Sequence, residues 1–180
     1  MDELLKIDSS FNEGMFITKV NNIFVLLYTS IMMGNLDKVR HFLSSGLEEK
    51  YDTMLKEYAK SNVAQMYDEL NVKSTEIKKI NILDDKIEIS VDLVSRYMDY
   101  IIDRETSKFI SGVNDHRVEK MNHLIFIKKI GASYNEIAQS CPGCGANINV
   151  NANGKCPYCG TIFNAEDYEW ILTSIETIDV

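Results

Sequence analysis

Cysteine is missing from the first 140 residues of this 180-residue chain. Most of the fold must therefore rest on a hydrophobic core rather than on covalent staples, and 180 residues are enough for one domain with a real core plus a small appendage. Long hydrophobic runs are missing too. The most apolar stretch, Ile23 to Met33, is interrupted by Thr29 and Ser30 and falls short of the ~20 residues that a spanning helix requires. The start, Met1-Asp2-Glu3, is acidic where a signal peptide is basic. The expectation is a cytoplasmic chain with neither signal peptide nor transmembrane segment. No Ser-His-Asp order, phosphate-binding glycine loop or paired-carboxylate motif is present, which removes the commonest hydrolase and nucleotide-binding classes. There is no internal repeat and no low-complexity tract.

What is present is concentrated. All four cysteines fall in one stretch as Cys141-Pro142-Gly143-Cys144 and Cys156-Pro157-Tyr158-Cys159. One tetrahedral zinc takes four thiolates, and each C-x2-C turn presents two of them on one side of a tight loop. Pro142 and Pro157 stiffen the approach to each turn. Gly145 and Gly160 allow the backbone to leave the second cysteine with positive φ, so that amide hydrogens face the sulfurs. Two such knuckles make a zinc ribbon holding one structural ion. Other readings are weaker. A disulfide within C-x2-C is strained, and the chain shows no secretion signal. A thiol oxidoreductase would open a helix directly after Cys-Pro-Tyr-Cys, but Asn164-Ala165-Glu166-Asp167 intervenes. Four unrelated buried thiols would not share this spacing. A site closed by four protein ligands has no open position for water or substrate.

The net charge of −8 is unevenly spread. Residues 1–140 carry 18 basic and 22 acidic groups, residues 141–163 have Lys155 as their single charge, and the tail has Glu166, Asp167, Glu169, Glu176 and Asp179 with no base. Ribbons that bind nucleic acid meet phosphates with basic loops; the acid flanking this one argues against that partner.

Hydrophobic periodicity gives an order of elements. Caps at Asp8, Ser9 and Ser10 precede Met15, Phe16, Val20, Ile23, Phe24, Leu27 and Ile31 at helical spacing. Six consecutive apolar residues, Ile23 to Tyr28, imply a helix buried around most of its circumference. Gly34 ends it, and Asn35 caps a short second helix through Leu36, Val39, Phe42 and Leu43. A third carries Leu47, Tyr51, Met54, Leu55 and Tyr58 on one stripe. After about Leu70 the period becomes two. A strand with a bulge near Lys78-Lys79 leads through Leu83-Asp84-Asp85-Lys86 into a long strand from Ile87 to Ile101. A turn at Arg104-Glu105-Thr106-Ser107-Lys108 follows, and a last strand runs from about Val118 with Met121, His123, Ile125 and Ile127 on one, inward, face. Tyr168, Trp170, Ile171, Leu172 and Ile175 read as a short amphipathic tail that docks back on the ribbon or the main domain. The fold class is α+β, with N-terminal helices on the concave face of a curved antiparallel sheet. The division is 1–135 for that domain and 136–180 for ribbon and acidic tail.

These pieces resemble the Tim-forty-four-like domain family, named for the matrix-side subunit of the mitochondrial import motor. Ile7-Asp8-x-x-Phe11 with Phe16 is similar to its opening, and Gly34-Asn35-Leu36-x-x-Val39-Arg40-x-Phe42-Leu43-Ser44 to its second-helix signature. Ile87-x-Ile89-x-Val91, Tyr97-Met98-Asp99-Tyr100 and Ser111-Gly112 resemble its strand core, and Phe126 with Lys128 its closing strand. The family commonly has Trp and Arg around that phenylalanine; here Leu124 and Lys128 stand there. The cysteine pairs followed by Tyr168-Glu169-Trp170-x-Leu172 resemble the tail of bacterial relatives. The resemblance implies a cystatin-like or nuclear-transport-factor-two-like cone and a non-catalytic, protein-binding or scaffold role, with contact to a membrane surface. The methionines Met32, Met33, Met54, Met66 and Met121 are expected to fill the core.

The alternative is a small-molecule or lipid-binding cone, since such folds also host isomerases and dehydratases that use Asp, His and Tyr as acid and base. Its candidates are Asp92, Tyr97, Asp99, Tyr100, His116 and His123, with His41 on a surface helix. A lone histidine on an apolar strand is more often a satisfied core or edge residue than a base.

Overall fold

A computed structural model describes residues 1–131 and 170–179; the four cysteines lie outside them. Helices α1 (Asp2–Ile7), α2 (Glu13–Met33) and α3 (Ser45–Lys60) precede strands β1 (Val63–Ile82), β2 (Lys86–Asp103), β3 (Phe109–Lys129) and β4 (Ile171–Asp179). The strands form one antiparallel sheet in the order β1-β2-β3-β4. The α+β architecture expected from the sequence is the one observed.

α2 begins where Asn12 Oδ1 accepts the amide of Met15 at 2.9 Å and ends at Gly34, whose φ of 68° is the left-handed conformation that glycine adopts without a Cβ penalty. It buries Phe16, Val20, Ile23, Phe24, Leu27, Tyr28 and Ile31. By length and composition alone α2 could cross a membrane, contrary to the expectation from the shorter run Ile23–Met33. Here it is the core helix, packed on β1 and the sheet's concave face. Ser44 caps α3, which lays Leu47, Tyr51 and Leu55 into the same core.

The expected second helix is instead a single 3₁₀ turn, Arg40–Phe42. The segment is too short to nucleate an α-helix unaided, and both its ends are committed elsewhere. Asn35 Oδ1 accepts the Asp37 amide at 2.7 Å, while Leu43 bridges to Leu172 and the Ser44 amide donates to the Leu172 carbonyl at 2.9 Å.

β2 alternates as read, with Ile87, Ile89, Val91, Leu93, Ser95 and Tyr97 inward and buried. β1 begins at Val63, earlier than its periodicity suggests, because three register shifts break the alternation: Asp68/Asn71, Val72/Ser74 and the expected Ile77/Lys79. The first of these flanks β2 at the level of Tyr97, and on β2's other side the pairing jumps from Tyr97↔Val118 to Asp99↔Val113. Bulges on both sides of one strand concentrate twist and bending there, and Tyr97 marks the bend. β3 has the opposite facing to that expected. Asn122, Leu124 and Phe126 point inward, opposite Leu93, Val91 and Ile89, so Met121, His123, Ile125 and Ile127 lie on the outer face.

The C-terminal residues dock back on the main domain, one of the two expected places, and do so as a strand of its sheet. β4 pairs with β3 from Lys120↔Asp179 to Ile127↔Ile171. Trp170, Leu172 and Ile175 enter the core that α2 and β2 build. At about 1.5–3 kcal/mol per fully buried large apolar side chain, three such residues outweigh any surface contact. Trp170 stacks edge-on against Phe16 at 4.9 Å and Phe11 at 6.0 Å, and Phe16 meets Phe126 at 5.8 Å. Lys128 Nζ lies 5.9 Å over the indole and donates to Asp8 at 2.7 Å. Thus an indole does sit against Lys128, with Phe16 linking it to Phe126, and it is supplied from more than forty positions along the chain.

Candidate functional site

Where the sheet bends, three tyrosines from three elements meet: Tyr28 on α2, Tyr67 on β1 and Tyr97 on β2, with ring centroids 4.5 to 5.5 Å apart. Tyr51 and Tyr58 of α3 and Met32 border them, and Met32 Sδ receives the Tyr67 amide at 3.1 Å. Beneath lies a buried polar knot. Asn122 Oδ1 accepts from Tyr28 at 3.2 Å and from Thr177 of β4 at 2.8 Å, while Asn122 Nδ2 donates to Ser95 Oγ at 2.9 Å and to the Leu93 carbonyl at 3.1 Å. Asn122 and Ser95 are wholly buried, so each hydrogen bond offsets a desolvation cost that would otherwise stand alone.

At the rim of the cluster, Asp99 accepts from Gln65 Nε2 at 2.8 Å and lies 3.7 Å from Lys120 Nζ, which also holds Asp179. Burial pushes the phenols of Tyr67 and Tyr97 far above the ordinary tyrosine range, and the charge of Asp99 adds to it. Tyr51 is raised by burial and by Tyr28. For Tyr28 burial again dominates, with the hydrogen bonds from Thr177 and Tyr97 pulling the other way. These phenols therefore stay protonated near neutrality and act as neutral hydrogen-bond donors, not bases.

The other sequence candidates scatter. Asp92 and His123 pair at 2.6 Å on the outer face, with Lys78 3.9 Å from the Asp92 carboxylate. His116 pairs with Asp115 at 2.7 Å in the exposed bulge of β3. Tyr100 donates to Asp68, also on the outer face, and His41 stacks on Phe42 at 3.9 Å. Of the candidates, the structure brings together Tyr97 with Asp99 at the cluster and Asp92 with His123 on the outer face. Sequence reading passed over Tyr28, Tyr67, Asn122 and Thr177; no local signal marks Asn122, because the pairing of β3 with β2 decides that it faces inward. Among the described residues no group of three or more His, Cys, Asp or Glu side chains could hold a metal ion. Cys141, Cys144, Cys156 and Cys159 lie outside the described residues.

The sequence profile described as the Tim44-like domain matches residues 1–136. The chain belongs to the Tim44-like domain family. No curated protein matches it. Membership supports an interaction or scaffold role at the level of the family, in association with proteins or membranes. In this Tim44-like chain the tyrosine cluster is finished by a residue beyond the matched span, Thr177 of β4.

Proposed function

We propose that this is a non-catalytic protein-interaction or scaffold module, of the bacterial Tim44-like type that carries a C-terminal zinc ribbon. The match over residues 1–136 carries the reading. The site chemistry agrees with it: the tyrosines at the bend are neutral donors, and the paired histidines His116 and His123 lie away from them. Cys141, Cys144, Cys156 and Cys159 would hold one zinc ion. Four thiolates in two C-x2-C pairs are a complete soft donor set, and such a closed site builds structure, contributing about 10–16 kcal/mol in small zinc-finger peptides. The contact surface would be the hydrophobic cone mouth or the ribbon face.

The test is crosslinked capture from the native cell with membranes retained, comparing wild type with a Cys144→Ser, Cys156→Ser double variant. One protein recovered with wild type and lost with the variant supports an adaptor whose ribbon sustains the contact. Equal recovery by both moves the contact to the cone. No recovered protein, with the sheet intact, removes the scaffold reading.

The second reading, a small-molecule or lipid-binding cone with isomerase-like or dehydratase-like chemistry, has Asp99 in its favour. Its carboxylate stands at the tyrosine cluster with Gln65 and Lys120 in reach. Binding of a ligand that is abolished by Asp99→Asn, with the fold unchanged, would establish it.

A further inference from the structure

A strand at the edge of a sheet offers unpaired amides and carbonyls to another strand, and charge, bulges or a covering segment block such pairing. The two outermost strands are blocked in those ways. β1 carries Asp68, Glu69, Lys73, Glu76, Lys78 and Lys79 and is broken by three register shifts. β4 is bridged at Leu172 by Leu43 and carries Glu176 and Asp179. The first half of β3 is an edge as well. β4 pairs with β3 only from Lys120 to Ile127, so among the described residues no strand lies beside Phe109–Glu119 on the side away from β2. Asp115 and Arg117 charge the bulge in this stretch. Phe109–Val113 is uncharged and uncovered, and around its one irregularity, the extra residue Ile110, Phe109 and Ile110 are 48% and 50% exposed.

The order of side chains in this stretch selects what fits it. Any extended peptide could satisfy the backbone, but the side chains are complementary to themselves. Paired antiparallel with a second copy about Ser111, the stretch sets Phe109 opposite the partner's Val113 and Ile110 opposite the partner's Gly112. The first is an aromatic pair with a β-branched residue, and the second lays a large side chain over an edge glycine; both stabilise a sheet. That glycine has no substitute, because a Cβ at Gly112 would stand 2.3 Å from the Asp99 carbonyl oxygen. Charge agrees. Each copy carries a net charge of −8, so two copies repel over most of their surfaces, yet Phe109 to Asn114 is neutral. Just outside it, Lys108 comes next to the partner's Asn114, one residue from the partner's Asp115. We propose that two copies of this chain join edge to edge along Phe109–Val113, antiparallel and centred on Ser111. The contact is isologous, as a closed dimer requires. Its two-fold axis stands perpendicular to the sheet, so both helical layers and both tyrosine clusters lie on one side of the joined sheet. A scaffold paired in this way presents two equal contact surfaces in the same direction.

Sedimentation equilibrium on the full chain tests it. The paired stretch is short, so a dissociation constant on the order of 0.1 mM is expected. Ile110→Lys brings a charge into the contact twice, once from each copy. It is expected to raise the dissociation constant by about tenfold or more, with the far-ultraviolet circular dichroism unchanged. If that variant loses the sheet, Phe109→Ser at the neighbouring exposed position gives the same comparison. Ser111→Cys under mild oxidation reads the register, since peptide mass mapping is expected to find position 111 of one copy linked to position 111 of the other. A chain still monomeric at about 1 mM would overturn the proposal. So would a dimer that Ile110→Lys leaves intact, which joins by another surface, or a dimer in which position 111 links only to the chain's own four cysteines.

Discussion

Asp8 shows how one side chain can set an acid limit on the fold. Burial raises its carboxyl, but hydrogen bonds from Lys128 and Ser10 outweigh that and leave it below the usual aspartate value. A folded-state pKa below the unfolded one means that the contribution is complete above the unfolded value. It disappears as pH falls through the folded one. Asp8→Asn is expected to cost about 1–3 kcal/mol at neutral pH and little at strongly acidic pH; urea titrations at both ends check this. Asn122 is the second sensitive residue. Replacing it by Leu strips partners from Tyr28, Thr177 and Ser95 together, so a loss of about 2–4 kcal/mol is expected from stranded buried donors and acceptors. Conversion of all three partners to apolar residues should recover part of it, and a mutant cycle by thermal melting measures how much. Neither role is visible in the linear sequence. Asp8 reads there as a helix cap, and Asn122 carries no signal of its own.

At the scale of elements, the reading was good where one period held over many residues and poor where it was broken. α2, α3 and β2 follow their apolar stripes closely. β1 hides its length behind three register shifts, and β3 is read facing the wrong way because both of its faces carry large apolar residues at Met121, Leu124, Ile125, Phe126 and Ile127. Which set faces in is decided by pairing with Val91 and Leu93, not by composition. The β2–β3 arm contains a sharper constraint. Gly112 has φ of 104°, and a Cβ there would stand 2.3 Å from the Asp99 carbonyl oxygen and 2.6 Å from Tyr100 Cα. Gly112→Ala is expected to destabilise by about 2–3 kcal/mol and to shift the pairing of Asp99 and Tyr100, visible as lost protection at those amides. β4 makes the companion prediction. Trp170→Ala removes the indole that Phe11, Phe16 and Lys128 surround, at a cost of about 3–5 kcal/mol, and should release the strand from β3 before the rest of the sheet unfolds.

For the whole molecule, the decisive fact is that β4 follows the cysteine segment in sequence and yet lies beside β3 in the sheet. A zinc ion held by Cys141, Cys144, Cys156 and Cys159, as proposed, would shorten the effective loop between two paired strands. The double variant Cys144→Ser, Cys156→Ser is therefore expected to leave the sheet folded but lower its stability by about 1–2 kcal/mol, the closure cost of a longer flexible loop. A urea midpoint that falls with an unchanged slope, together with retained exchange protection in β2, would bear this out. An unaltered midpoint would mean that zinc and sheet are independent.

Local chemistry was determined by the sequence alone. The glycine stop of α2 at Gly34, the alternation of β2 and the ordered motifs of the Tim44-like family are short-range patterns, and they survive being read one residue after another, whereas the cap of α2 is Asn12 rather than Asp8, Ser9 or Ser10. Only the tertiary structure decided which face of β3 points inward, that Trp170 belongs against Phe16 and Lys128, and that Tyr28, Tyr67, Tyr97, Asn122 and Thr177 form one cluster. Each of those depends on contacts between residues far apart in the chain. Burial there is shared among several elements, so the periodicity of any single element leaves the choice open.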